Sequence, residues 1–123
     1  MILILYTFVN NMKGTYLGEF EEIVLLAVGI LGDDAYGVSI RKEIETQSGR
    51  VVNIGAVHTA VHRLEAKGFL KSEFGESTNL RGGKRKRLFF LTNAGLKSLN
   101  GSRELRRQMW SHLPAILSKS KNI

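Results

Sequence analysis

One stretch of this chain constrains the rest: Asn53-Ile-Gly-Ala-Val-His-Thr-Ala-Val-His-Arg-Leu-Glu-Ala-Lys-Gly68. Ile54, Val57, Val61 and Leu64 fall three or four residues apart, so a helix gathers them into one apolar stripe that a core must cover. Asn53 stands at the N-cap position, where its side-chain oxygen can accept from an orphaned first-turn N–H. Gly68 stands at the stop, because glycine enters the left-handed conformation without a Cβ penalty. The other side carries His58, Thr59, His62, Arg63 and Lys67, all able to hydrogen-bond or carry charge. The fold has to build a core behind one face of this helix and leave the other face open to a partner.

The surrounding pattern supplies that core. Leu17 to Leu31 reads as a first helix with Glu19, Glu21 and Glu22 at its N-terminus, where the helix dipole favours negative charge. Its apolar residues run almost all round, which predicts burial on most sides. Asp33 and Asp34 offer caps for a second helix from Ala35 to Thr46, with Tyr36, Ile40 and Ile44 inward. Val51-Val52 could pair as a minimal strand before Asn53. Leu70 to Phe74 and Leu88 to Leu91 read as antiparallel strands joined by a turn-rich segment. Thr92 then caps a last helix from Asn93 to near Leu117, which Pro114 should kink or end.

At 123 residues the chain suits one domain with a modest core. The expected architecture is mainly α with a small β-hairpin: a winged helix-turn-helix over residues 17–92, then a dimerisation helix and basic tail over 93–123. Residues 1–16 stand apart as an N-terminal extension. Its first nine residues are apolar but too short to span a bilayer; Met12 offers an alternative start, and otherwise the segment is an arm to pack on a partner subunit. The long last helix carries Leu105, Met109, Trp110 and Leu113 with nothing left in the monomer to cover them, so these are the candidate dimer contacts.

Charge points to the partner. Residues 1–80 hold seven Lys and Arg against ten Asp and Glu; residues 81–123 hold eleven against Glu104 alone. A segregated basic half suits a polyanion. The run Arg81-Gly-Gly-Lys-Arg-Lys-Arg87 lies in the hairpin, where Lys84, Arg85, Lys86 and Arg87 would bind phosphates without reading sequence. Strand alternation puts Arg85 and Arg87 on one side and Lys84 and Lys86 on the other, so one pair is expected to face DNA. Asn53, His58, Thr59, His62 and Arg63 are candidates for base or phosphate contacts in a major groove, which admits a helix. Tyr36, at the head of the second helix, joins them.

Other chemistries find little support. His58 and His62 have the i, i+4 spacing of metal ligands, but cysteine is absent and only the distant His112 could add a ligand, so no metal is expected. There is no nucleophile triad, no paired carboxylates in a cleft-like context and no cofactor fingerprint, so neither catalysis nor a cofactor is expected. Two rivals to DNA binding are a module gripping an acidic protein, and a membrane-surface protein using the apolar first nine residues with the basic tail. Neither accounts for a capped polar helix ahead of a basic hairpin.

With these motifs placed, the chain resembles the PadR family of transcriptional regulators, in its short form with one C-terminal helix. The resemblance runs from Leu17 to Leu99 and rests on Leu17-Gly-Glu-Phe-Glu-Glu22, Tyr36-Gly-Val-Ser-Ile40, Gly55 to Glu65 ending in Arg-Leu-Glu, Gly68-Phe-Leu70, and Lys86-Arg-Leu-Phe-Phe-Leu-Thr-Asn-Ala-Gly95. It implies a homodimeric, cytoplasmic repressor, with the third helix in the major groove, the wing along the backbone and the terminal helices at the dimer seam. It also implies a possible small hydrophobic or aromatic effector at Trp110. The chain departs from the family in carrying His58 where a tyrosine is common, and Phe89-Phe90 where tyrosines are.

Overall fold

The computed structural model describes residues 17–77, 85–115 and 117. The N-terminal extension, Lys84 and the basic tail after 117 lie outside the described residues. The order is α1 (Glu19–Leu31), a 3-10 turn (Gly32–Asp34), α2 (Gly37–Ser48), α3 (Ile54–Ala66), β1 (Leu70–Ser77), β2 (Arg85–Leu91) and α4 (Asn93–Ser111). α1, α2 and α3 pack on one another, and the antiparallel hairpin β1–β2 closes against α1 and α3. The expected mainly helical fold with one hairpin is the one observed.

The core lies where the helices meet. Leu25, Ile40, Ile44 and Leu64 are its largest fully buried side chains, with Val24, Val28, Val57 and Val61 around them. Truncating any of these leucines or isoleucines to alanine would cost about 2–5 kcal/mol. On α3 the buried set is Val57, Ala60, Val61 and Leu64, while Ile54 is only partly covered. On α1 Leu26 and Ile30 are exposed, so this helix is buried on one side rather than on most.

Three boundaries differ from expectation for local reasons. The first helix starts at Glu19, with Glu21 Oε1 accepting from the Gly18 N–H at 3.2 Å. Asp33 and Asp34 do not cap α2, because both are taken up in the 3-10 turn. The extended residue before α2 is Tyr36, whose N–H donates to Ser39 Oγ at 2.9 Å. Val51 and Val52 form no strand: the Val52 N–H donates to Glu45 Oε2 at 2.9 Å, and Val51 is 98% exposed.

α3 is stopped by two reversed hydrogen bonds, Phe69 N–H to the Leu64 carbonyl and Gly68 N–H to that of Glu65, around Gly68 at φ 82°. This is the Schellman arrangement, and the buried Phe69 and Leu64 supply its apolar contact. The strands pair from Leu70 with Leu91 to Phe74 with Arg87, then slip before Ser77 meets Arg85. Much of the basic run is therefore strand.

Thr92 fastens α4 to the end of α3. Its hydroxyl accepts from Gly95 N–H at 3.0 Å and donates to the Gly68 carbonyl at 2.7 Å. Gly95 consequently lies against the chain at Phe69: a Cβ there would sit 2.3 Å from the Phe69 carbonyl oxygen and 2.8 Å from Leu91 Cδ1. α4 ends at Ser111, ahead of Pro114.

Gly95→Ala should lower stability by roughly 3 kcal/mol, the upper end of overpacking costs. Gly101→Ala, in the same helix with open space where its Cβ would stand, should raise it by ~0.5–1 kcal/mol. Urea unfolding of both variants checks the contrast; equal effects would mean that α4 does not approach Phe69 this closely.

Candidate nucleic-acid interface

Covering the apolar stripe of α3 fixes the direction of its other face. His58, Thr59, His62 and Arg63 are all exposed, running from the second turn of the helix to its last. Asn53 caps the helix, its Oδ1 accepting from Gly55 N–H at 2.6 Å, and so its side-chain oxygen serves the backbone. The His58 imidazole rests on the first turn of α2: a Cβ at Gly37 would come within 2.9 Å of its Cε1. Gly37 leaves the room that this ring occupies, and a glycine at a helix start carries no sequence signal for such a contact.

The wing lies beside that row. Arg85, Lys86 and Arg87 border one shallow concavity with Tyr36, Gly37, His58 and His62. The structure thus brings together six of the candidates, Tyr36, His58, His62, Arg85, Lys86 and Arg87, while Thr59 and Arg63 stand further round the same helix. Arg85, Lys86 and Arg87 all border the hollow, but their side chains differ in what they meet, Lys86 lying toward Tyr36 and Arg87 toward Glu65 and Ser72. Lys86 Nζ stands 4.2 Å from the centroid of the Tyr36 ring, within cation–π range.

Arg87 is tied down more firmly. Its Nη2 donates to Glu65 Oε1 at 3.1 Å and its Nε to Ser72 Oγ at 3.0 Å. The Ser72 hydroxyl in turn donates to Glu65 Oε2. Glu65 and Ser72 were not among the candidates, since the pairing spans 22 residues and nothing local announces it.

Ion pairs hold the helix behind this surface. Lys67 Nζ meets both oxygens of Glu21, at 3.0 and 3.2 Å, in a half-buried setting. Arg50, in the turn before α3, pairs with Glu19, and that hydrogen bond holds the Glu19 carboxyl below the usual carboxylate range. Arg106 on α4 pairs with Glu22 at 3.0 Å. Among the described residues no group of three or more His, Asp or Glu is placed to hold a metal, and no helix is long and apolar enough to cross a membrane.

The terminal helix is covered only near its start. Gly95, Ser98 and Leu99 are buried, whereas Leu105, Met109, Trp110 and Leu113 are exposed, Trp110 at 71%. Arg106, Met109, Trp110 and Leu113 line one open patch. A second hollow between α1 and α4 is lined by Leu26, Leu96 and Leu99 together with Arg103 and Arg106.

The family model described as the transcriptional regulator PadR-like family matches residues 25–101. Among solved structures, a transcriptional regulator from Clostridium thermocellum is 27% identical, covering 82% of this chain and 89% of its own, at TM-score 0.62. A PadR family transcription regulator from Clostridium difficile is 28% identical over 72% of this chain and 91% of its own, at TM-score 0.57. A winged-helix DNA-binding protein from STIV shares the fold at 20% identity and TM-score 0.62, covering 80% of this chain and 99% of its own. No curated protein matches the sequence.

Proposed function

The chain belongs to the PadR-like family of transcriptional regulators, and we propose that it acts as a homodimeric cytoplasmic repressor. The observation that carries this reading is the exposed polar row of α3 set beside the cations of β2, around one hollow. In this reading α3 enters the major groove, where Thr59 and His62 read base edges and His58 and Arg63 meet bases or phosphates. Asn53 and Tyr36 flank the groove. Lys84, Arg85, Lys86 and Arg87 bring positive charge to the neighbouring backbone.

The exposed apolar side of α4 supports the dimer. Leu105 and Met109 lie one turn apart with Trp110 beside them and Leu113 just past the helix end, and such a patch fits a copy of itself. A small hydrophobic or aromatic effector would bind at this seam, against Trp110. It would release the operator only if it bound the DNA-free arrangement of the two protomers more tightly.

Anisotropy titration of a duplex from the upstream region of the gene, beside a scrambled duplex at several salt concentrations, tests the DNA reading. The native duplex should bind more tightly, with a steep salt slope. Alanines at Lys84, Arg85 and Lys86 should weaken both duplexes alike and flatten that slope, whereas Thr59→Ala should cost about 1–3 kcal/mol on the native duplex only. Failure to bind either duplex at low salt would end this reading. Leu105→Asp should give monomers in sedimentation and lose operator affinity; an intact dimer would refute the α4 seam.

A further inference from the structure

Glu65 is the only acidic residue of α3, and it stands on the helix that this reading turns toward a polyanion. Left bare, its charge would oppose binding. Instead it closes a ring with two strands. Arg87 Nε donates to Ser72 Oγ at 3.0 Å, Ser72 Oγ donates to Glu65 Oε2, and Arg87 Nη2 donates to Glu65 Oε1 at 3.1 Å. One residue comes from α3, one from β1 and one from β2. The Arg87 guanidinium also lies 5.6 Å from the Phe74 ring centroid and 6.0 Å from that of Phe89.

We propose that this ring is a positioning device: Glu65, through Arg87 and Ser72, sets the angle of the wing to α3 without touching DNA. The inference rests on the DNA-binding reading above. A hairpin of two strands has little stability of its own. Its base is anchored, because Thr92 N–H donates to the Phe69 carbonyl and Phe89 N–H to that of Ala35. Beyond that base the wing could swing, and the ring ties it back to α3 two residues further out. An arginine fork holds Ser72 and Glu65 together in one fixed plane, whereas a lysine, a point charge with rotatable donors, fixes no such geometry. Arg87 still adds to the field of the wing, but its inner donors face protein. Fixing the angle decides whether the wing cations and the α3 row reach one duplex in a single register, and so bears on specificity more than on affinity for DNA in general.

The test uses the full chain with Glu65→Gln and Arg87→Lys, titrated against the native and scrambled duplexes over salt, with melting midpoints measured alongside. Both variants should lower the ratio of native to scrambled affinity roughly tenfold, the scale of a lost charge-assisted hydrogen bond. Glu65→Gln should also steepen the salt slope by about one, as the released Arg87 finds a phosphate. The charge swap Glu65→Arg with Arg87→Glu should recover part of the ratio that either reversal alone removes. If Arg87 were only a phosphate contact, Glu65→Gln would leave the ratio unchanged, and that result would overturn the proposal. A fall in melting midpoint with equal loss on both duplexes would reduce the ring to a stabilising contact and overturn it too. If the unaltered protein binds neither duplex, the DNA reading fails by itself. Amide exchange then judges the ring: Glu65→Gln should speed exchange at 85–87 while sparing α1 and α2, and unchanged exchange would refute the positioning role.

Discussion

Burying Val57, Ala60, Val61 and Leu64 leaves α3 one way to face, with His58, Thr59, His62 and Arg63 in solvent. Val57, Val61 and Leu64, taken fully out of water, each contribute roughly 1.5–3 kcal/mol, far more than any exposed polar contact on the far side could return. The helix cannot turn to suit a partner without giving that up. Its ends are held as well, by the Asn53 cap at one and the reversed bonds around Gly68 at the other. A surface presented this way keeps its geometry before a partner arrives, which is what reading a fixed array of donors and acceptors demands.

The first turn of α1 distributes that constraint. Glu19 reaches the turn before α3, Glu21 reaches Lys67 just past its end, and Glu22 reaches Arg106 on α4. The same three carboxylates sit at the positive end of the α1 dipole, so their charge is favourable there before any partner is counted. The pairs are not equal. Arg50–Glu19 is solvent-exposed and contributes little, whereas Lys67–Glu21 is mostly covered and would leave a charge stranded if broken. Both ends of α3 and the terminal helix therefore refer to one helical turn, and a displacement of α4 has to carry or break the Arg106 contact.

What could be read from the residues alone was what depends on near neighbours. Helical periodicity, the caps at Asn53 and Thr92 and the stop at Gly68 all arise within a few residues, and each was legible. Competition between near neighbours was harder: two aspartates looked like caps, but the 3-10 turn absorbed them and Ser39 served instead. Val51-Val52 had strand-like side chains but no strand to pair with. The second strand was legible from Leu88 to Leu91, but it starts earlier, at Arg85, which pairs with Ser77 across a slip in register. Contacts of long sequence separation were invisible. Nothing around Glu65 announces Arg87, and nothing around Gly37 announces the ring of His58. For the candidate interface, the residue types were legible, and the selection of which ones meet was set by tertiary packing.

The apolar residues left outside carry their own argument. Leu26 and Ile30 on α1 lie one turn apart, and on α4 Leu105 is followed by Met109 and Trp110, with Leu113 just past the end of the helix. Single exposed leucines are ordinary on a protein surface, but a run along one side of a helix is not. The start of α4 is pinned by Thr92 and Gly95, so the helix cannot fold back to cover its own stripe without opening the contact at Phe69. The mean hydropathy of −0.07 is that of a chain with enough polar surface to stay in water otherwise. An apolar side held away from the core by a fixed helix start needs a partner surface, and the matching stripe of a second copy is one that is present whenever the protein is. That is the physical ground for the proposed dimer, whose seam would lie on the helix that Arg106 ties to α1.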